Sequence, residues 1–336
     1  MISNASITAI VVTWNRREEL GRCLDSLDRQ VIPPEFSFRV IVIDDGSRDG
    51  TASWLAERTV RQCATGQGYP LSAWRLRGNA GPGLARNLAL SMSQSDYVLL
   101  IDSDAWIETP GAVASFAKRL EENSELLAVG PLIWRTREHD DPFIFGGYVT
   151  RALHADLPRW RSDWEAPEFV TSCCSLWRRE PLLRGGGFDP FYGHGIEDVD
   201  LCLRLFREGW RGEILPETHA IHTMAPHGRH RPFDDFDRVF RYLEWTRPYL
   251  ALRTRGWRWT AREAARWAVA GRGEFNAAYG RPLGWRRHAL ARVFWPFYHL
   301  LTWPLRVGAR PSRRLALPAS AMPIPPTREA AHVSIA

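Results

Sequence analysis

Apolar positions in the first 135 residues follow two rhythms. Short, nearly unbroken runs, ITAIVVT (residues 7–13), VIVI (40–43), AWRL (73–76) and YVLLI (97–101), read as strands buried on both faces. Between them the apolar spacing becomes helical. Leu20, Cys23, Leu24 and Leu27 stand at i, i+3, i+4 and i+7, and further helices are predicted near residues 51–62 and 84–93. Strands alternating with amphipathic helices imply an α/β fold with a mostly parallel sheet covered on both faces. Ligands of such sheets sit at the carboxyl ends of the strands. That rule lines up Thr13 to Asn15, Asp44 to Ser47, Gly78 to Gly83 and Asp102 to Asp104 along one edge.

Farther on the pattern loosens. Residues 155–167 are loop-like and carry Trp160 and Trp164; a glycine-rich turn, GGGFDPFYGHG (185–195), leads into a helix at 196–208, a strand at 212–215 and then PETHAIHTM, with two histidines on a strand. From residue 231 the chain reads as helices, and the proline-rich sequence after 310 as a disordered tail. The expected division is a catalytic domain at 1–225, a helical extension at 226–309 and the tail at 310–336.

Charge separates the extension from the rest. The net charge is +6. Residues 229–314 hold 19 arginines against 6 acids, which leaves the remainder at −7, and they carry seven of the 16 tryptophans. The most apolar stretch there, VFWPFYHLLTWPL, is too short and too broken by proline to span a bilayer. Arginine with interfacial Trp and Tyr suits a segment lying on an anionic membrane; a helical subdomain packing on the first domain accounts for the same composition. No nucleic-acid motif accompanies the charge, so nucleic acid is not expected as a partner. Five cysteines, an odd number without CxxC or zinc spacing, imply free thiols in a reducing compartment. The amino terminus reads as a first strand, not a signal peptide. The expected location is the cytoplasm, with peripheral attachment to the inner membrane face if the basic region meets lipid.

Several groups could carry chemistry. Asp102 and Asp104 end an apolar run, where an ionised carboxylate needs a cation or hydrogen bonds. Hard oxygen ligands suit Mg²⁺ or Mn²⁺, and one such pair would rely on a phosphorylated ligand to complete the shell. GNAGPGLARN (78–87) is a glycine-rich turn opening a helix, a place for an anion such as a diphosphate, though it is neither a GxGxxG fingerprint nor a P-loop. In HGIEDVDLCLRLF, Asp200 has Arg204 at i+4 and reads as a surface pair. Asp198 lacks such a partner and is a candidate general base. Helix capping would satisfy Glu197 and Asp198 equally, so spacing does not separate them. An imidazole from His219 or His222 could join the carboxylates on a metal.

In order, VVTWNR, VIDDGSRDGT, GNAGPGLARN, LLIDSDAWI, SLWRRE with GGFDPFYGHGIEDVDLCLR, and PETHAIH resemble the family 2 inverting glycosyltransferases of the GT-A fold, rhamnosyltransferase-like members included. The likeness covers roughly residues 7–224. It implies that Thr13, Asn15, Asp44, Asp45, Arg86 and Asp102 serve the nucleotide, that Asp104 and His222 hold Mn²⁺ or Mg²⁺, and that Asp198 deprotonates the acceptor. His222 matches the family's late histidine by standing six residues past Pro216; His219 does not. The resemblance further implies a UDP- or dTDP-linked donor sugar and a saccharide or lipid-linked acceptor. Trp160, Trp164, Asp189, Tyr192 and Glu197 are weaker candidates for acceptor contacts. Two other classes compete. An aspartyl phosphohydrolase also uses DxD, but Ala105 follows Asp104 here, and the only lysine, Lys118, lies in the next helix. A non-catalytic sugar-binding homologue would be expected to have lost Asp104, Asp198 or His222.

Overall fold

In a computed structural model the described residues are 5–66, 68–139, 148–149, 155–156, 167, 169–192, 196–223, 249–250 and 320–325, with isolated positions at 253, 256, 258, 262 and 317. The strands are β1 (Ala5–Thr13), β2 (Phe36–Asp44), β3 (Leu71–Leu76), β4 (Tyr97–Asp102), β5 (Ala105–Ile107), β6 (Leu126–Trp134), β7 (Tyr148–Val149), β8 (Ala155–Asp156), β9 (Cys174–Arg178), β10 (Arg211–His222) and β11 (Ala321–Pro323). The helices are α1 (Arg17–Asp28), α2 (Thr51–Thr65), α3 (Pro82–Met92), α4 (Ala112–Glu122), α5 (Arg179–Arg184) and α6 (Glu197–Phe206).

Nine strands form one sheet in the order β11-β3-β2-β1-β4-β9-β6-β10-β5. β3, β2, β1 and β4 are mutually parallel, as are β6 and β10, while β9, β5 and β11 run antiparallel to their neighbours. β1 is paired on both edges, by β2 and β4, and is buried on both faces: Ile7, Ala9 and Val11 on one, Thr8 and Ile10 on the other. That is why its sequence is an apolar run and not an alternation. The predicted stripe of α1 is the buried one, Leu20, Cys23, Leu24 and Leu27, and each leucine so covered contributes about 1.5–3 kcal/mol. Ser26, also buried on α1, donates to Cys23 O at 2.7 Å and accepts the Ile107 N–H at 3.1 Å, which pins β5 beside the helix.

Two features set the position of the site. β10 pairs with β6 through Leu215 opposite Pro131 and resumes with His219 opposite Leu132. The three intervening residues form an irregularity of the kind that re-aims a strand, and it brings His222 opposite Ala105, next to Asp104. At the other end of the edge, Gly46 has φ +79°, and a Cβ there would lie 2.9 Å from Gly78 Cα. The turn after β2 and the loop after β3 therefore touch backbone to backbone, which only glycine permits.

Two expectations change. The strand predicted at 212–215 is longer, because 211–222 is one irregular strand carrying both histidines. The tail is not wholly disordered: Ala321–Pro323 pairs with Leu76, Arg75 and Trp74 and covers the edge of β3. Three residues amid prolines are too short a run to read as a strand; here they satisfy backbone groups of the edge strand, and Ile324 beside them packs against the core.

The chain divides into two compact units, one of Met1–Thr150, Ala155–His230 and Arg313–Ala336, the other of Arg151–His154 and Arg231–Ser312. In the second, Tyr249, Leu250 and Arg253 are helical, and the Arg253 guanidinium lies 5.2 Å over the Tyr249 ring. Most of the basic Trp-rich extension lies outside the described residues. Among those described, no helix is long and apolar enough to cross a membrane.

Candidate active site

The site is built from strand ends. Thr13 and Asp44 are register partners at the carboxyl ends of β1 and β2. Asp44 Oδ1 accepts the Ser47 N–H at 2.8 Å, but Asp44 Oδ2 and Thr13 Oγ1 are buried with no hydrogen-bond partner among the described residues. Arg75 Nε lies 3.5 Å from Oδ2, an ion pair without a hydrogen bond. Burial raises the Asp44 pKa, against the hydrogen bonding of Ser47 and the charge of Arg75. Buried polar atoms are rarely left in this condition unless a ligand meets them.

Asn15 and Asp45, expected to serve the nucleotide, brace the loops of this edge. Asn15 adopts φ 52°, its N–H donates to Ser47 Oγ at 2.8 Å, and its Oδ1 accepts the Arg48 N–H at 2.7 Å. Asp45 accepts the Ala80 N–H at 2.7 Å on Oδ1 and the Gly81 N–H at 2.9 Å on Oδ2, and so holds the glycine-rich loop at the start of α3. Arg86, one turn into α3, is buried between two carboxylates: Nη2 lies 2.7 Å from Asp102 Oδ1 and Nη1 2.9 Å from Glu197 Oε1. Burial opposes its charge, while Asp102 and Glu197 outweigh that effect and raise its pKa. In this structure it bridges two acids, Asp102 and Glu197. Its neighbour Asn87 donates to Phe188 O and accepts the Phe188 N–H, at 2.8 and 2.9 Å, clipping the GGGFD turn to the same helix.

Asp102 ends β4 and Asp104 sits in the turn that follows. With His222 they offer three ligand atoms within 4.8 Å of one another. His222 Nε2 is 3.3 Å from Asp104 Oδ1 and 3.8 Å from Asp102 Oδ2. Burial disfavours the imidazolium, but the bond to Asp104 and its charge raise the His222 pKa well above the ordinary value. A pair of carboxylate oxygens with an imidazole is a donor set that fits a divalent cation. His219 lies elsewhere, edge-on to Trp134 and His139 at 5.8 and 4.7 Å between centroids. Sequence reasoning missed Arg16, whose Nη1 is 2.7 Å from Asp104 Oδ1.

The acids of α6 now separate. Glu197 is buried against Arg86, and its Oε2 has no hydrogen-bond partner among the described residues. Asp198 is half-buried, accepting the Ser172 N–H at 3.2 Å and the Val199 N–H at 2.8 Å. Burial, then the neighbouring charge of Glu197, push its pKa up to about 6, in the range of a working base. Ile196 enters α6 with φ 57°, an unfavourable setting for a β-branched residue that places the acid pair at the helix start. Asp200 is buried rather than at the surface, accepting Tyr192 Oη at 2.9 Å and Arg204 Nε at 2.8 Å; Arg204 in turn holds Gly185 O and Gly187 O. Tyr192 is thereby buried and unable to stack on a sugar. Asp189 caps its own turn through the Phe191 N–H at 2.9 Å. Trp160 and Trp164 lie outside the described residues.

Comparisons with known proteins agree with this geometry. The chain is 28% identical to an N-acetylglucosaminyl-diphospho-decaprenol L-rhamnosyltransferase of Mycobacterium tuberculosis over 76% of its own length and 89% of the relative's. Its fold is similar to that of S. aureus TarS 1-349 in complex with UDP-GlcNAc, with a TM-score of 0.52 and 19% identity, covering 74% of this chain and 66% of that one. It is also similar to the mannosyltransferase PcManGT from Pyrobaculum calidifontis in complex with GDP-Man and Mn²⁺, with a TM-score of 0.51 and 19% identity over 88% and 86% of the two chains. The mixed nine-stranded sheet with its flanking helices is thus a GT-A fold. The family model of glycosyl transferase family 2 matches residues 8–185, more than half of the chain, and the protein belongs to that family.

Proposed function

We propose that this glycosyltransferase is metal-dependent and inverting, moving a sugar from a nucleoside-diphosphate donor to an acceptor hydroxyl. The observation that carries the reading is the convergence of Asp102, Asp104 and His222 at the edge where Arg86 joins Asp102 to the helix of Asp198. Asp44 and Thr13, with their open buried oxygens, would meet the nucleoside. Asp104 and His222, with Asp102 beside them, would hold Mn²⁺ or Mg²⁺, which when bound supplies charge stabilisation to the leaving diphosphate. Asp198 takes the proton of the acceptor hydroxyl as that oxygen bonds to the anomeric carbon. The bond from that carbon to the diphosphate breaks on the opposite side, and the configuration inverts. Ser172 N–H holds the base in place. The relative from M. tuberculosis favours a lipid-linked acceptor and TarS a uridine nucleotide; UDP- and dTDP-linked sugars are the donors to try first. A lipid-linked acceptor would give the basic extension a reason to meet an anionic membrane.

The test is donor turnover across UDP-, dTDP- and GDP-sugars with purified protein. Turnover should require Mn²⁺ or Mg²⁺, stop in chelator and be lost in Asp104→Ala. The product anomer, read by NMR, should be opposite to the donor's. Full activity in chelator, or retained configuration, would refute the reading.

A further inference from the structure

One side chain in the site stands where a metal ion would compete with it. Arg16 follows Asn15 at the end of the first loop and forms the N-cap position of α1, with φ −144° and ψ 48°. Its backbone is fixed, because its carbonyl accepts the Leu20 N–H at 2.9 Å. Its guanidinium reaches Asp104, with Nη1 2.7 Å from Oδ1, the oxygen that also lies 3.3 Å from His222 Nε2. Both partners are nearly out of water, at 13% exposure for the arginine side chain and 1% for the aspartate.

A divalent cation ligated by Asp104 would sit roughly 2.1–2.2 Å from a carboxylate oxygen, within a few ångströms of that guanidinium. Two positive groups so close, shielded from water, repel strongly. Asp102 is no refuge for Arg16, since Arg86 already pairs with it at 2.7 Å. A diphosphate is the missing anion. The planar guanidinium fork suits phosphate oxygens, and the long side chain can turn toward them while the backbone stays anchored. We propose that Arg16 is a positioning residue that acts as the counter-ion of Asp104 and makes metal binding conditional on a nucleoside diphosphate. Without the nucleotide it neutralises Asp104 and keeps a bare cation off. With it, Arg16 moves to the diphosphate and exposes the carboxylate. By linkage each ligand strengthens the other's binding by the same factor. The inference rests on the metal-dependent reading above.

The test is Mn²⁺ binding to the full chain, followed by the EPR signal of free Mn²⁺, with no nucleotide and then with saturating UDP, dTDP or GDP. The wild type should bind Mn²⁺ about tenfold or more tightly once its nucleotide is present. Arg16→Gln should bind Mn²⁺ alone about tenfold more tightly than the wild type and lose most of the nucleotide's effect. Arg16→Lys, which keeps the charge, should stay near the wild type. A merely structural arginine would give no gain of metal affinity on removal. Unchanged or weaker Mn²⁺ binding by Arg16→Gln overturns the proposal, and so does a wild type that binds Mn²⁺ equally well without nucleotide. The second result decides even if the variant does not fold. Asp104→Asn separates the two readings: if it binds Mn²⁺ like the wild type, the metal assignment itself is wrong.

Discussion

The two ends of the catalytic edge hold their carboxylates differently. At the β1, β2 and β3 end, acids are seated mainly on backbone amides. Asp45 takes the N–H groups of Ala80 and Gly81, and Asp49 takes those of Arg17 and Thr51, which with the Thr51 hydroxyl lower its pKa although burial works the other way. At the β4, β9 and α6 end, arginines do the holding: Arg86 for Asp102 and Glu197, Arg204 for Asp200, Arg16 for Asp104. Amide seats are rigid and come with the turn that forms them, whereas arginine seats depend on one long side chain from another element. In each region one acid departs from the rule. Among the described residues Asp44 keeps an oxygen without a hydrogen bond, and Asp198 has two amides and no arginine ion pair, and both have raised pKa values. Those are the two acids that the proposed chemistry assigns to substrate.

Substitutions can break this contrast. The largest effect is expected at Asp198→Asn, with turnover falling by about 10²–10⁴ while nucleotide binding is kept; stopped assays and a nucleotide titration would check both. Next is Arg86→Met, which strands Glu197 as a buried charge and should lower stability by about 3–5 kcal/mol in urea unfolding. Asp45→Ala removes the acceptors of the Ala80 and Gly81 amides, and a smaller loss of about 2 kcal/mol is expected, with weakened nucleotide binding because the 78–83 loop is released. Smallest per step is the response to pH. Since the Asp198 pKa stands at about 6, kcat/KM should fall about tenfold per unit as pH drops below that value and level off above it. Stability linked to the same group has the opposite sign. A carboxyl with a raised pKa favours the fold most when protonated, so its contribution grows on acidification and fades as pH rises through 6. A kcat/KM that is flat from pH 5 to 8 would remove Asp198 as the base.

The sequence foretold the first region better than the second. The β1 to β4 runs and the α1 stripe are local patterns, and the structure has them within a few residues. Asp104 and His222 could be paired in advance only through an ordered set of motifs, because they are 118 positions apart and meet through an irregularity in β10. The bridging role of Arg86 could not be read from spacing, since Glu197 is 111 residues away. Tyr192 looked like a sugar platform because an aromatic in a glycine loop carries no mark of which way it turns; Asp200 turns it inward. Arg16 was visible in VVTWNR, yet nothing local says that it reaches Asp104.

The short pairing of Ala321–Pro323 with β3 alters how the basic region must be handled. With Arg313–Ala336 in the first unit, the Arg231–Ser312 segment leaves that unit and the chain returns to it, so it is an insert tethered at both ends and not an appendage. Cutting the chain at residue 226 would therefore do two things at once, removing the insert and stripping a strand from the sheet's edge. A bare edge invites pairing between chains, and sedimentation with liposomes could then report aggregation in place of adhesion. Excising 231–312 and rejoining the ends with a flexible linker leaves the edge covered and lets lipid binding be measured by itself.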